Sequence, residues 1–462
     1  MKRATAIVFV LLTLVGAATP AFAASRASRA WQLRSLATRE QNNSLRYLHT
    51  AWFKAMGYRY RVVPIASITE ASGTAGVAGA VEVLDPPIGY SVSGSDQQQA
   101  TVQSIRLAAK ATSGPAIRTT RAQASAGYAT ALALANGTYD PTRVGVSRRE
   151  AIRRTVAWTS GLALSHAQGE WGDSWQSPLW TYYLGAGSTE VWDCLPPITQ
   201  ELVTKAVTEE ADRLLVVPPP VYRDATGTII SPGDSRAEEN AWDAGLLFLA
   251  ARCFASGDPT RASQWEAQAR WYALTAFSTP NQVGSDPRIQ GSNVNPDGTV
   301  TNHKIVHPDY MAAAGEMQVK CVLISQWSHS GEATECSNGL TVVWHALTKL
   351  KFPAVSPFHK PGGTIYRVGS RGVCTPSIYF PQGTDWSATR RHNLALMDVA
   401  VFVVGRNEGF GWAKVHINYV LRQQSRHKDR RVFSAGETLF TEDEQFAAVC
   451  AAEMVESLRR VR

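Results

Sequence analysis

The feature that most constrains this chain is helical periodicity, which returns again and again along its length. Apolar residues recur at three- and four-residue steps over 29–56, 116–136, 148–166, 197–215, 237–255, 260–277, 308–327, 340–350, 387–404, 412–422 and 442–459. That spacing gathers apolar side chains on one helical face. Two stretches open on Ser-x-x-Glu, Ser147 to Glu150 and Ser235 to Glu238, which reads as a capping box and accounts for Glu238. Pro308 suits the first turn of its helix, with His307 just before it. Strand signals are fewer, at 58–66, 364–368 and 376–380. The expected fold class is mainly α, an (α/α) toroid-like array of helix hairpins with minor β segments. No fixed-period repeat marks a regular solenoid.

The first residues follow an export pattern. Lys2 and Arg3 precede an apolar run over 6–18, and Ala21-Phe22-Ala23 offers a small-x-small cleavage site. The expectation is a signal peptide over 1–23, a secreted protein, and no membrane contact after cleavage. Residues 24–140 form an N-terminal helical region, and 141–462 a catalytic region that is either separate or continuous with it. With 44% hydrophobic and 18% charged residues the chain is globular. The net charge of +8 is not gathered into basic runs, so nucleic acid is not an expected partner. Six cysteines in an exported chain permit disulfides, although Cys253 and Cys321 sit in apolar helical stretches as buried thiols do. Oligomeric state is not legible.

Fourteen tryptophans are many, and several stand beside polar loop residues. Trp171, Trp175 and Trp180 share a segment with Glu170, Asp173 and Gln176; Trp242 follows Glu238, Glu239 and Asn240; Trp386 follows Asp385. Flat aromatic faces beside carboxylates and amides suit sugar rings, which have apolar C–H faces and hydroxyl edges. A polysaccharide is therefore the expected partner. Asn293, Asn295, Asp297, Asn302, His303, His307, Asp309 and Tyr310 crowd one loop that feeds directly into a helix. An imidazole and a phenol held there are equipped for proton transfer.

Asp297-Gly-Thr-Val-Thr-Asn-His303, followed by Tyr310 at a helix start, resembles the His/Tyr loop of toroidal polysaccharide lyases, of the hyaluronate and chondroitin lyase or heparinase kind. The resemblance spans 171–326. It implies β-elimination on a uronic acid polymer, with His303 or Tyr310 as base and Tyr310 as acid. Asn302, Asn240 or Gln176 would neutralise the substrate carboxylate, and Arg390 and Arg391 would grip carboxylates. Trp175, Trp180, Asp385 and Trp386 would complete the binding surface.

The alternative enzyme is a toroidal glycoside hydrolase, which needs two carboxylates. Glu239 and Asp243, four apart on a helix, would share a face and supply the pair. A third reading is an extracellular glycan-binding protein without catalysis. No cofactor is expected. Zinc on His303 and His307 wants a continuous helix that Pro308 interrupts, and calcium on Asn295 and Asp297 rests on donor type alone.

Overall fold

A computed structural model describes residues 4–53, 59–64, 80–85, 115–167, 169, 171–172, 175–255, 257–434 and 440–461. The segments with helical periodicity are helices. They are α1 Ala4–Tyr47, α2 Pro115–Ala135, α3 Pro141–Val144, α4 Arg148–Ala167, α5 Ser177–Glu190, α6 Pro197–Leu215, α7 Ala237–Leu249, α8 Pro259–Ala276, α9 Pro308–Met311, α10 Ala313–Trp327, α11 Leu340–Thr348, α12 His392–Val403, α13 Glu408–Ser425 and α14 Phe440–Leu458. Strands are confined to two-stranded antiparallel pairs: β1 Arg59–Pro64 with β2 Ala80–Asp85, β3 Thr301–Asn302 with β4 Ile305–Val306, and β5 Tyr366–Val368 with β6 Cys374–Ile378. The chain is mainly helical.

Six helices pack in a closed circuit. α2 lies against α5, α5 against α7, α7 against α10, α10 against α12, α12 against α14, and α14 returns to α2. The others back onto them: α1 on α14 and α13, α4 on α2 and α6, α8 on α7, and α13 on α12. Because α2 lies between α5 and α14, packing crosses residue 140 freely. The circuit helices are buried almost all round, so the polar side chains they carry must find partners inside the protein. In α10 every residue from Ala313 to Gln326 is buried, and in α12 every residue from His392 to Phe402.

Polar groups in the circuit pair with one another. Lys320 Nζ donates to Glu316 Oε1 at 2.6 Å and lies 4.8 Å from the Tyr182 ring. Tyr128 donates to Glu453 Oε1 at 3.2 Å. Left unpaired, each would cost several kcal/mol. Cys321 is not the lone thiol its apolar setting suggests: it forms a disulfide with Cys336, fastening α10 to the turn at Thr334–Ser337.

One circuit helix escapes the periodicity. α5 (SPLWTYYLGAGSTE) carries two glycines that reduce its helical signal. Both are required by close approach. A Cβ on Gly185 would stand 2.7 Å from Val207 and 2.9 Å from Leu249, and one on Gly187 would stand 3.1 Å from the Tyr128 backbone. The capping box at Ser235 does not form either. Arg236, in the left-handed region at φ 59°, precedes α7 without a side-chain cap, and Ser235 Oγ is 3.4 Å from the Ala237 amide.

Candidate active-site cleft

Three connections between helices, 216–236, 277–307 and 349–391, are stitched together at one end of the circuit. Arg223 and Ser292 exchange backbone hydrogen bonds at 2.9 Å, the Ser235 amide donates to Thr301 O, and the Lys304 amide donates to Gly233 O. Asn293 ties in the first connection by accepting from the Tyr222 amide at 2.6 Å. Gln382 Oε1 accepts from the Val306 amide at 2.7 Å, joining the third.

Within this scaffold β3 and β4 form a hairpin whose two turn residues are His303 and Lys304, at φ 50° and 69°. A two-residue turn of the type that matches strand twist needs positive φ at both positions, usually met by Asn-Gly. Two side-chain-bearing residues there cost of order 1 kcal/mol each. What holds them is Asn302: its Oδ1 accepts from the His303 amide at 2.7 Å, and its Nδ2 donates to Glu238 Oε1 at 2.6 Å.

The turn projects His303 toward Asp385. His303 Nδ1 hydrogen-bonds Asp385 Oδ2, His307 Nε2 reaches Asp385 Oδ1 at 2.9 Å, and the Tyr310 hydroxyl lies 3.3 Å from His303 Nε2. Trp386 flanks all three rings, 5.8 Å from His303 and 6.3 Å from Tyr310, and carries the Arg390 guanidinium 5.1 Å from its own ring. His307 occupies the N-cap of α9, but its side chain caps nothing.

Charge states reflect these surroundings. Burial would raise the Asp385 carboxyl, but the His307 hydrogen bond and the His303 charge outweigh it, so the carboxyl is held below its ordinary range. Burial, with Glu238 adding to it, pushes the Tyr310 phenol well up. Burial also lowers His307, against the opposing pull of Asp309. Glu238, buried beside Glu239, is raised far above a normal carboxyl. Glu238, Asp309, Tyr310, Trp386, Arg390 and Asn393 line one narrow cleft with Gln176, Trp242 and Arg121 of α2. Arg390, 3.7 Å from Asp443 and 4.0 Å from Asp309, is buried yet firmly charged.

Neither protein-family models, nor curated proteins, nor solved structures give a match to this chain.

The cleft gathers Tyr310, Trp386, Arg390 and Gln176, with His303 and Asp385 at its rim and exposed Trp175 beside Trp242 at 6.0 Å. Several expected residues lie elsewhere. Trp180 is in the core with its ring 6.1 Å from Trp171, because α5 turns it inward. Asn240 is buried and donates to Pro220 O, which occupies the amide. Arg391 directs its guanidinium to the carbonyls of Pro376, Ala388 and Arg390. Glu239 does not line the cleft; it pairs with Arg236 at 2.8 Å. Asp243, also outside the lining, has its carboxyl raised by burial and sits under the influence of Arg213. Asn302 reaches the site only through Glu238 and the His303 amide. Glu170 and Asp173 fall outside the described residues.

Sequence reasoning passed over Glu238, Asn393 and Arg121. The capping-box pattern concealed the first. Asn393 donates to Asp309 Oδ1 at 3.0 Å, and its place one turn after Thr389-Arg390 at a helix start was the available signal. Nothing local marks Arg121.

Proposed function

We propose that this chain is an exported polysaccharide lyase with an (α/α) toroid-like fold, cleaving a uronic acid-containing glycan by β-elimination. The observation that carries the reading is the Asp385–His303–Tyr310 relay at the rim of a cleft that holds Arg390, Gln176 and two indoles. The closed circuit of six helices with others packed outside it supports the toroid.

In that reaction Asp385 orients His303 through Nδ1, which leaves Nε2 as the base. His303 takes the proton at C5, the electron pair forms the C4–C5 double bond, and the C4–O bond breaks toward the departing sugar. Tyr310, held protonated by its surroundings, gives the leaving oxygen its proton. Gln176 and protonated Glu238, whose Oε2 has no partner, neutralise the substrate carboxylate by hydrogen bonding. Arg390 grips acidic groups and the indoles carry ring faces.

A hydrolase reading is favoured by one observation, that Glu238 and Asp309 line the same cleft with Glu238 held protonated as a general acid. Ultraviolet absorbance of an unsaturated uronate, read on a panel of uronic acid polymers beside reducing-end release, separates the two. Elimination predicts absorbance that falls roughly 100- to 10,000-fold in His303→Ala and Tyr310→Phe. Reducing ends without absorbance, lost in Glu238→Gln, would move the chemistry to the carboxylates. Silence in both assays favours a glycan-binding protein.

A further inference from the structure

The group at Asp385 is built for more than orienting an imidazole. One ligand atom each from His303, His307 and Asp385 lie within 4.8 Å of one another. Two imidazole nitrogens and a carboxylate oxygen are the donor set of zinc-class ions. The interruption at Pro308, which argues against a helical pair of ligands, is irrelevant to this grouping: the hairpin turn, not helical spacing, brings His303 across.

The protons on the second ring nitrogens point the same way. For a neutral His307 to donate to Asp385 from Nε2, its Nδ1 must be a bare lone pair. That Nδ1 stands 3.8 Å from Asp309 Oδ2, and both atoms are buried without a hydrogen-bond partner. Two acceptors face each other. An ion on Nε2 reverses the tautomer: Nδ1 then carries the proton and Asp309 Oδ2 is there to receive it. Carboxylate behind imidazole behind metal is the usual outer arrangement of histidine sites. His303 repeats it, with Nδ1 toward the shared centre and Nε2 toward the Tyr310 oxygen.

We propose that His303 Nδ1, His307 Nε2 and Asp385 form a three-ligand site for a zinc-class divalent ion, backed by Asp309 and Tyr310 and open to the cleft. The site goes beyond the elimination reading and does not rest on it. With an ion on Nδ1, His303 keeps its proton on Nε2 and has no lone pair for a substrate, so loading and the base role exclude one another.

The test uses the full protein, stripped with a chelator and titrated with Co²⁺ while the d–d absorption is followed, then challenged with Zn²⁺. The expected result is one Co²⁺ per chain, displaced by Zn²⁺. The band disappears in Asp385→Asn, a half-exposed loop change that leaves the packed core alone, and in His307→Gln. Asp309→Asn weakens binding about 10- to 100-fold. No band in the wild type, or an equal band in both ligand variants with unchanged circular dichroism, overturns the site. The absorbance assay, run on stripped and Zn²⁺-loaded protein, keeps the two proposals apart. Elimination that zinc suppresses fits both. A Co²⁺ band without elimination leaves the site standing and removes the lyase. Elimination with no band removes only the site.

Discussion

Glu210 and Glu238 are both buried glutamates on helices, 2% and 4% exposed, yet their carboxyls move in opposite directions. Glu210 of α6 receives Ser177 Oγ at 2.7 Å, Arg213 at 2.7 and 3.2 Å, and His166 at 3.3 Å. Burial opposes these bonds and loses, and the carboxyl falls to about 2. Glu238 of α7 receives Asn302 on one oxygen, while the other has no partner. Burial wins there and the carboxyl rises. Equal burial with unequal satisfaction separates a structural knot from a carboxyl with one oxygen left open. The knot fixes the start of α5, and with it Gln176 and Trp175; the cleft leaves polar atoms open for something to arrive.

The largest test of that contrast is stability. Glu210→Ala removes the acceptor that Ser177, Arg213 and His166 share and should cost about 3 kcal/mol in urea unfolding, whereas Glu238→Gln, which mimics a group already protonated, should stay within about 1 kcal/mol. Equal losses would break the comparison. Next comes activity: Asn302→Ala frees both Glu238 and the His303 amide, and should lower kcat roughly 100-fold with little change in KM. A change in KM alone would make Asn302 a binding group.

Acid should then separate the two kinds of carboxylate. The stability from Glu210 is fully present above its unfolded value of 4.5 and is lost as pH falls toward about 2. Glu444, which accepts the Val432 and Phe433 amides, is raised by burial to about 8, so its contribution is present below pH 4.5 and lost as pH climbs to 8. Urea midpoints across pH should flatten below 4.5 in Glu210→Gln and between 4.5 and 8 in Glu444→Gln. The smallest effect is at the hairpin. Lys304→Gly removes one strained position and should stabilise the fold by about 1 kcal/mol, visible as a shifted urea midpoint. A loss would mean the Lys304 stem packing on Gly233 outweighs the strain.

The helices were legible because apolar residues recur along them between polar connections, and most of them begin and end within a few residues of the expected positions. α5 was not, because the glycines that admit its neighbours carry no side chain to count. Aromatic clustering marked the cleft but not which ring faces it: Trp175 is exposed beside it, and Trp180 is in the core five residues on. The turn at His303 lacks the Asn-Gly signature, and its partner Asp385 lies 82 positions away, a distance over which spacing says nothing. The Ser235–Glu238 pattern pointed to a cap where the chain had found a different use for the acid.

The closed circuit has a consequence for how the molecule is made. α2 and α14 are neighbours although 305 positions separate residue 135 from residue 440. Five of the six circuit helices leave the ribosome before the one that joins them end to start, so closure waits until the chain has been made through residue 458. Until then the apolar flanks of α2 and α12 that α14 covers lie open. Folding of this chain should be limited by such long-range closure rather than by helix formation, and chaperone demand should centre on that interval.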